Sequence, residues 1–236
     1  MSALRLHFFR AFAYTMNQKE IFLTTEGDAY LQRNRSKTEV RTFPGKDILA
    51  NALVEILPAP FSSEASSLRV LEIGCSNATR LRWLRDQYGA RCFGLDPSPQ
   101  AVSEACGMGL DVRQGTADRL PFPLQAFDMV IFGTCLYLCD KEDLFSIAAE
   151  ADRVLATPGW LVIADFFSQR SRTVDYRHAP GVLTHKMNYS SMFSWHPHYT
   201  LMTQKVRKMY EATYTDDADE WVGLWVLRKC PTINAM

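Results

Sequence analysis

The feature that most constrains this sequence is an apolar run that ends in an acid and a glycine, followed by a loop of small residues. The run is Val70-Leu71-Glu72-Ile73-Gly74, the loop is Cys75-Ser76-Asn77-Ala78-Thr79, and a second apolar run ends at Asp96, 22 residues after Gly74. A strand, a tight turn and a helix, with an acid at the tip of the next strand, are typical of a nucleoside pocket at the carboxyl edge of a parallel sheet. The feature therefore predicts the fold class, the kind of ligand and the position of the site.

Strand and helix signals alternate along the middle of the chain, which predicts parallel strands joined by right-handed crossovers. Two further strands near the C-terminus are joined by an acidic loop and predict an antiparallel hairpin. The predicted strands cover about 69–73, 92–95, 110–113, 127–132, 160–166, 205–214 and 221–228. We therefore predict an α/β fold: a Rossmann-like, doubly wound, mostly parallel seven-stranded sheet with an antiparallel C-terminal hairpin strand and an N-terminal helical cap.

Local signals place the starts of three helices. Asp47 to Leu57 carries an apolar stripe at helical spacing. Ser98 is predicted to cap a helix whose first residue is Pro99, and Asp140 is predicted to cap a helix that carries an apolar stripe from Leu144 to Leu155.

The chain is predicted to divide at residue 45. Residues 1–45 form an N-terminal extension and cap, and residues 46–236 form the domain with the pocket, within which 167–204 is a lid-like insertion. The basic, aromatic stretch from Met1 to Tyr14 is either a surface-binding amphipathic helix or an ordinary extension, and Met16 is an alternative start.

Composition excludes several classes of protein. Lys and Arg together number 26, as do Asp and Glu, which is a poor balance for binding nucleic acid without sequence preference. No apolar run approaches the length of about 18 residues that a membrane span needs. None of the six cysteines forms a C-x-x-C pair, which favours free thiols in a reducing compartment, so we expect a cytoplasmic protein.

The loop after Gly74 distinguishes two kinds of nucleoside ligand. Gly74 lets the backbone approach a ligand closely, and Asp96 can accept hydrogen bonds from two ribose hydroxyls. Ser76 and Ala78 stand where a dinucleotide fingerprint has glycines, so the loop is poorly suited to a pyrophosphate.

Five segments in this order resemble those of class I S-adenosylmethionine-dependent methyltransferases, in particular the branch that acts on small molecules. They are Val70–Gly74, Gly94–Ser98, Leu120–Phe122, Phe127–Ile131, and Arg153–Leu155 with Pro158-Gly159. The resemblance covers about 68–166 closely and the C-terminal hairpin more loosely. The run Glu26–Asn34 is similar to the cap of methyltransferases from bacterial surface-sugar and secondary-metabolite pathways. The cofactor implied is S-adenosyl-L-methionine, with S-adenosyl-L-homocysteine as the product.

The resemblance also implies which residues contact that cofactor. Glu72 would orient the loop, Asp96 would hold the ribose, and Pro97 would pack near the adenine. The other implied contacts are Gly74, Cys75 and Ser76 for the methionine part, Thr116, Ala117 and Asp118 for the adenine edge, Phe132 and Gly133 beside the methyl group, and Tyr30 and Arg33 from the cap. The family often has Asp at the position of Thr116, and the resemblance implies that Asp118 would take its place in this chain.

Candidate catalytic residues lie after the fifth strand, where four of the five histidines fall between 178 and 198. A hydroxyl acceptor needs a base with a pKa near neutral, and the candidates are His178, His185, Asp165 and Tyr189. The alternative is that these side chains cap and fill an aromatic lid. His196 and His198 lack an obvious third ligand, so no metal is expected.

The predicted function is transfer of a methyl group from S-adenosylmethionine to a small-molecule acceptor at oxygen or nitrogen. The alternative is a catalytically silent S-adenosylmethionine-binding module that acts as a partner or regulatory subunit, which the glycine-poor loop favours. Arg172, Arg177 and Lys186 suit an anionic or sugar-like acceptor, or lie in solvent. Neither a nucleic acid partner nor a membrane span is expected, and a homodimer is left open.

Overall fold

The structure, a computed structural model, describes residues 17–39, 43–45, 47–208, 211 and 213–231, and the side chains of all of these except 36–39. The predictions for Met1 to Tyr14 and for Met16 lie outside the described residues. No helix in the described part of the chain is long and apolar enough to cross a membrane.

Seven strands form one sheet. They are β1 Arg69–Ile73, β2 Arg91–Asp96, β3 Asp111–Gln114, β4 Phe127–Gly133, β5 Leu155–Phe166, β8 Tyr199–Lys208 and β9 Trp221–Lys229. Their order across the sheet is β3-β2-β1-β4-β5-β9-β8. Neighbouring strands from β3 to β5 are parallel, whereas β9 runs antiparallel to both β5 and β8. The predicted Rossmann-like sheet with an antiparallel C-terminal hairpin strand is therefore confirmed.

A small hairpin and several helices surround this sheet. Strands β6 Arg172–Asp175 and β7 Leu183–Lys186 pair only with each other among the described strands. The α-helices are α1 Gln18–Ile21, α2 Gly27–Glu39, α3 Ile48–Ile56, α4 Ser63–Ser67, α5 Thr79–Tyr88, α6 Pro99–Gly107 and α7 Leu144–Val154. A π-helical turn, Phe22–Glu26, joins α1 to α2, and 3₁₀ turns cover Leu136–Leu138, Lys141–Asp143, Tyr189–Met192 and Ala218–Glu220.

The core lies on both faces of the sheet because successive residues of each central strand point to opposite sides. On one face, Leu71 and Val130 pack in a cluster with α7. On the other face, Val70 and Met129 pack in a cluster with α3 and α5. All four side chains are at most 1% exposed, so the middle of the sheet is a rigid support for its carboxyl edge.

The cap that was predicted for Asp140 is wrong. Asp140 precedes the 3₁₀ turn, makes no side-chain cap there, and α7 begins at Leu144. Its two carboxylate oxygens instead accept hydrogen bonds from the backbone amides of Gln18 and Lys19, both at 3.3 Å. Asp140 therefore adds a second cap to α1, besides the N-cap Asn17, although α1 is more than a hundred residues away in sequence.

The C-terminal strand boundaries also differ from the prediction. Strand β5 begins at Leu155, because Leu155 pairs with Phe127 before the turn at Pro158-Gly159. Strand β8 covers Tyr199–Lys208 and begins before the predicted start at 205, because Tyr199 already pairs with Lys229. Positions 209, 210 and 212 of the predicted strand lie outside the described residues. The segment between β5 and β8 thus contains β6, β7 and one 3₁₀ turn. The division of the chain at residue 45 stays a prediction.

Ser98 is the predicted cap of α6, and the structure confirms this. Its hydroxyl accepts the Ala101 amide at 3.0 Å and also bonds to the Asp28 carboxylate, while Pro99 is the first helical residue. Ser98→Ala should lower the free energy of unfolding by about 1–2 kcal/mol, because the buried cap and its bond to Asp28 are both lost.

Urea denaturation of Ser98→Ala checks this expectation against Ser67→Ala. Ser67 is exposed and bonds only to the Glu64 carbonyl among the described contacts, so its variant should stay within about 0.5 kcal/mol of the parent protein. Equal stabilities for the two variants would contradict the role of Ser98.

Candidate functional site

A cleft of about 200 Å³ opens at the carboxyl ends of β1, β2 and β4. Its floor is formed by the turn after β1, the tip of β2 and the end of β4. Its roof comes from α1, the π-helical turn and α2, which contribute Lys19, Phe22, Tyr30 and Leu31. The cleft is thus where neighbouring parallel strands bring polar side chains together.

The turn after β1 is shaped by backbone conformations that favour glycine. Gly74 has φ +71°, and Ser76 and Ala78 have φ +52° and +57°. A Cβ built on Gly74 would lie 2.5 Å from the Cβ of Cys135, so the turn and the segment after β4 touch at this point. Ser76 and Ala78 adopt the left-handed region despite their side chains, at a cost of roughly 1–2 kcal/mol each. The low glycine content of the loop therefore does not prevent the turn.

Asp96, at the tip of β2, is held by two backbone amides. Its Oδ2 accepts the Ser76 amide at 2.7 Å and its Oδ1 accepts the Ser98 amide at 3.0 Å. Burial raises the pKa of Asp96 to about 6, although both amides favour the charged form and Asp28 disfavours it. Each oxygen still has a lone pair available, so Asp96 can accept two further hydrogen bonds in the cleft.

A buried ion triad of Asp47, Glu72 and Arg80 lines another part of the cleft. Arg80, on α5, contacts Glu72 at one nitrogen and Asp47 Oδ2 at 2.8 Å through the other. Burial opposes the Arg80 charge, but Asp47 and Glu72 outweigh it and raise the pKa of the guanidinium. A Cβ on Gly133 would lie 2.7 Å from Glu72 Oε1, so the end of β4 can pack against the triad only because Gly133 has no side chain.

Asn77 presents a polar atom that the fold does not satisfy. Its side chain is 7% exposed and lines the cleft, and its Oδ1 accepts no hydrogen bond from the described residues. Buried amide oxygens are normally hydrogen-bonded, so this atom favours a ligand with an N–H or O–H donor beside the turn.

The far end of the cleft is crossed by Lys19 of α1. Its Nζ lies 2.8 Å from Asp118 Oδ2 and 3.0 Å from Asp143 Oδ2. Hydrogen bonding to Asp118 is the main reason that the pKa of Lys19 is raised. Lys19 therefore ties the roof to both sides of the cleft.

The cleft is acidic overall. Its lining holds seven carboxylates and three cationic side chains, so a ligand with net positive charge is favoured electrostatically. The carboxylates are those of Asp47, Glu72, Asp96, Asp118, Asp140, Asp143 and Glu211, and the cations are Lys19, Arg80 and Lys208.

The structure brings eleven of the thirteen predicted cofactor residues together around this cleft. They are Tyr30, Glu72, Gly74, Cys75, Ser76, Asp96, Pro97, Thr116, Ala117, Asp118 and Gly133. Phe132 instead lies in the core, with no exposed surface. Arg33 contacts Glu26 and donates to Tyr176 Oη at 3.0 Å, so its guanidinium joins α2 to the insertion. The binding roles of all thirteen residues stay predictions.

None of the four predicted bases lines the cleft. His178 is exposed and stacks edge-on against Tyr176, whereas His185 is buried with Nδ1 3.1 Å from Thr173 Oγ1. Tyr189 is fully buried and donates to the His185 carbonyl at 2.5 Å. Asp165 is fully buried at the end of β5. Their catalytic roles stay predictions.

Sequence reasoning missed Lys19, Asp47, Asn77 and Arg80 as cleft residues. Asn77 and Arg80 directly follow the predicted turn, so their position in the sequence was an available signal. Lys19 and Asp47 reach the cleft only through the packing of α1 and α3, which no local pattern indicates. The sequence also suggested a metal site at His196 and His198 only weakly, and no metal-binding group of three or more His, Cys, Asp or Glu occurs in the described part.

Comparisons with known proteins identify the family. Residues 71–163 match a family model described as a methyltransferase domain. The crystal structure of Burkholderia thailandensis 1,6-didemethyltoxoflavin-N1-methyltransferase, with its bound 1,6-didemethyltoxoflavin and S-adenosylhomocysteine, has the same fold, with a TM-score of 0.66 and 16% identity over 92% of both chains. This chain therefore carries a methyltransferase domain over residues 71–163, and it shares the fold of a methyltransferase that binds S-adenosylhomocysteine. Both findings support the predicted family and its cofactor.

Two curated relatives are similar over shorter stretches. A probable chloroplastic tocopherol O-methyltransferase of Oryza sativa subsp. japonica is 29% identical over 58% of this chain and 37% of its own length. The uncharacterized methyltransferase YcgJ of Bacillus subtilis is 29% identical over 45% of this chain and 44% of its own. The match with each of these relatives thus spans less than half of the relative's length.

The residues around the cleft fit S-adenosylmethionine. Gly74 and Gly133 line the cleft and let the turn after β1 and the end of β4 pack closely, because a Cβ at either position would clash with Cys135 or Glu72. Asp96 has acceptor capacity for ribose hydroxyls, and Asn77 Oδ1 has capacity for an amino group. The surplus of carboxylates suits a cofactor with a positively charged sulfonium and ammonium group.

Gly74→Ala should lower the free energy of unfolding by about 2–4 kcal/mol. The added methyl group would occupy the space of Cys135, and alanine at φ +71° is itself strained. Thermal or urea denaturation measures the loss.

Gly107→Ala is the matched control for this substitution. Gly107 ends α6, and a Cβ there would meet no atom within 4 Å, so its variant should be as stable as the parent or slightly more stable. A Gly74→Ala protein of unchanged stability would show that the turn after β1 is not held as described.

Proposed function

We propose that this protein transfers a methyl group from S-adenosylmethionine to a small-molecule acceptor, at oxygen or nitrogen. The observation that carries the proposal is Asp96, a buried carboxylate aimed into the cleft by two backbone amides beside a glycine turn. The rice relative named for O-methylation and the Burkholderia structure named for N-methylation support a small-molecule acceptor at either atom.

The chain's own residues would bind and orient the cofactor. Asp96 would accept from the ribose hydroxyls, Asn77 Oδ1 would accept from the amino group, and Thr116 to Asp118 would border the adenine. When bound, S-adenosylmethionine supplies a methyl group that is already activated by its attachment to a sulfonium. The triad of Glu72, Arg80 and Asp47 would keep the end of β4 fixed.

The roof would exclude water and hold the acceptor. Phe22, Tyr30 and Leu31 face the cleft from the N-terminal cap, and Leu138 faces it from the turn after β4. These side chains suit a small acceptor with an apolar or aromatic part. Positioning alone can supply on the order of 7–11 kcal/mol to such a transfer at best, so it can carry much of the catalysis.

We propose a neutral, sugar-like acceptor in preference to an anionic one. Arg172 contacts Asp219, and Lys186 donates to the Asp219 carbonyl at 2.8 Å, so an anion would have to compete with Asp219 for both. His185 is the first base to test, because burial lowers its pKa and so favours the neutral imidazole. All six cysteines are free, which is consistent with the proposed cytoplasmic location.

Asp96→Ala should weaken the binding of S-adenosylhomocysteine by about 1–3 kcal/mol, because hydrogen bonds to a charged acceptor are lost. Titration calorimetry with S-adenosylhomocysteine measures this. Asp111→Ala is the control, since Asp111 is exposed on β3 and does not line the cleft.

Two outcomes would count against the proposal. If the parent protein does not bind S-adenosylhomocysteine, the proposed cofactor role fails. If Asp96→Ala binds as tightly as Asp111→Ala, the ribose is not held at the tip of β2. Binding without methylation of any acceptor in a broad screen would instead favour the silent binding module.

The affinity for S-adenosylhomocysteine should fall as the pH is lowered through about 6. Burial raises the pKa of Asp96 to about 6 in the folded protein, and the protonated acid loses acceptor capacity. The same shift means that acidification from pH 7 toward 4 favours the folded state through this group, because the unfolded carboxyl has the lower pKa. Protonation of Asp96 does not destabilise the folded protein. Weaker binding at pH 5.5 than at pH 8 would therefore reflect the lost hydrogen-bond acceptor and not unfolding through this group.

Calorimetry across pH 5.5–8 with the parent protein and Asp96→Asn checks this expectation. The Asn variant should bind weakly at every pH, without the change near 6. A flat profile for the parent protein would refute the assignment of Asp96.

A further inference from the structure

Asp165 stands out among the buried acids because its carboxylate binds backbone amides and not a ligand surface. It ends β5 with 0% exposure. Its Oδ2 accepts a hydrogen bond from the Leu136 amide and its Oδ1 accepts one from the Phe166 amide, both at 2.7 Å. The backbone amides of Cys135 and Tyr137 also stabilise the charged form of the carboxylate. Asp165 therefore caps the 3₁₀ turn Leu136–Leu138 from another strand, a turn that has no side-chain cap of its own.

The segment that Asp165 caps forms one wall of the cleft. Thr134, Cys135, Leu138 and Cys139 all line the cleft, next to Gly133 at the end of β4. Thr134 has φ +63°, and its amide donates to the Ala164 carbonyl at 2.8 Å. The path of this wall is thus set by bonds to the last residues of β5.

The same turn is also where the roof is attached. The Leu138 carbonyl accepts from Gln18 Nε2 at 2.9 Å, and the Gln18 side-chain oxygen accepts the Leu183 amide. Asp140, two residues after the turn, caps α1. Movement of the turn would therefore shift α1 and with it Lys19, which crosses the cleft.

We propose that Asp165 is a positioning residue. It holds in place the wall of the cleft that the segment after β4 forms, and through this wall it also fixes the position of α1 over the cleft. The proposal rests on the proposed function in one respect, since it takes this cleft to be the cofactor site. Asp165 acts through the backbone of residues 135–137 and has no contact with the cleft. This role differs from that of a general base, because both carboxylate oxygens of Asp165 already accept hydrogen bonds from backbone amides.

Protonation of Asp165 tests the proposal without any mutation. Protonation turns one carboxylate oxygen into a hydroxyl, which weakens the hydrogen bond that this oxygen accepts from a backbone amide. Burial raises the pKa of Asp165 to about 7, while the backbone amides that it accepts lower it. The titratable groups that face it are Cys135, Tyr137, Cys139 and Tyr189, and their pKa values are all raised, so they stay neutral between pH 6 and 8.

The experiment measures hydrogen exchange by NMR at the Leu136 amide, expressed as a protection factor relative to the intrinsic rate at each pH. In the parent protein, protection should fall at least fivefold from pH 8 to pH 6. The amide of Val162, in the middle of β5, should not change over this range. Residues 18–21 should lose protection together with Leu136.

Asp165→Asn extends the test. At pH 8 it should show the low protection that the parent protein shows at pH 6, and it should show no further change with pH. It should bind S-adenosylhomocysteine about threefold to tenfold more weakly than the parent protein. Asp128→Asn is the control, because Asp128 also accepts a backbone amide, but its described hydrogen bonds go to Arg69 and not to the turn after β4.

Protection at Leu136 that is unchanged both by pH and by Asp165→Asn would overturn the proposal. If Asp165→Asn fails to fold, the pH dependence in the parent protein decides alone. If the parent protein does not bind S-adenosylhomocysteine, the proposed function fails, while the exchange data still show whether Asp165 holds the turn. Weaker binding without any change at Leu136 or residues 18–21 would also count against this role.

Discussion

The site depends on backbone amides that converge on a buried carboxylate at the tip of β2. The amides of Ser76 and Ser98 both donate to Asp96, so one side chain holds the turn after β1 and the start of α6 in a fixed relation. The turn can make this bond only because Gly74, Ser76 and Ala78 adopt positive φ. The strain at Ser76 and Ala78 is tolerable since the strands beneath the turn are buried on both faces and do not yield.

A second buried carboxylate repeats this arrangement at the tip of β5. Asp165 accepts amides from the segment after β4, as Asp96 accepts amides from the segment after β1. The two carboxylates differ in whether they can accept further hydrogen bonds from a ligand. Asp96 lines the cleft and can accept more hydrogen bonds there, whereas Asp165 lies beneath the wall. One carboxylate is therefore suited to bind a ligand and the other to shape the wall that faces it.

The N-terminal cap is bound to the domain by polar contacts to both sides of the cleft. Asp28 bonds to Ser98, while Gln18 and Lys19 contact the segment that follows β4 and α1 is capped by Asp140. Most of these contacts are partly buried hydrogen bonds or ion pairs, which are individually weak, whereas the bond from Gln18 to Leu138 is buried. The roof lies over the cleft in one register because these contacts form together.

The sequence by itself determined the alternation of strands and helices that gives a mostly parallel sheet, the turn at Gly74, the acid at Asp96 and the cap at Ser98. These features depend on local patterns, since apolar alternation, a glycine at a turn and a serine before a helix act over a few residues. Tertiary structure decided that Asp140 caps α1, that Arg33 joins Tyr176, that Phe132 lies in the core, and that Lys19 and Asp47 reach the cleft. It also buried Asp165, His185 and Tyr189 away from the cleft. A polar residue's partner across a hundred residues is set by how whole elements pack, and no local pattern carries that information.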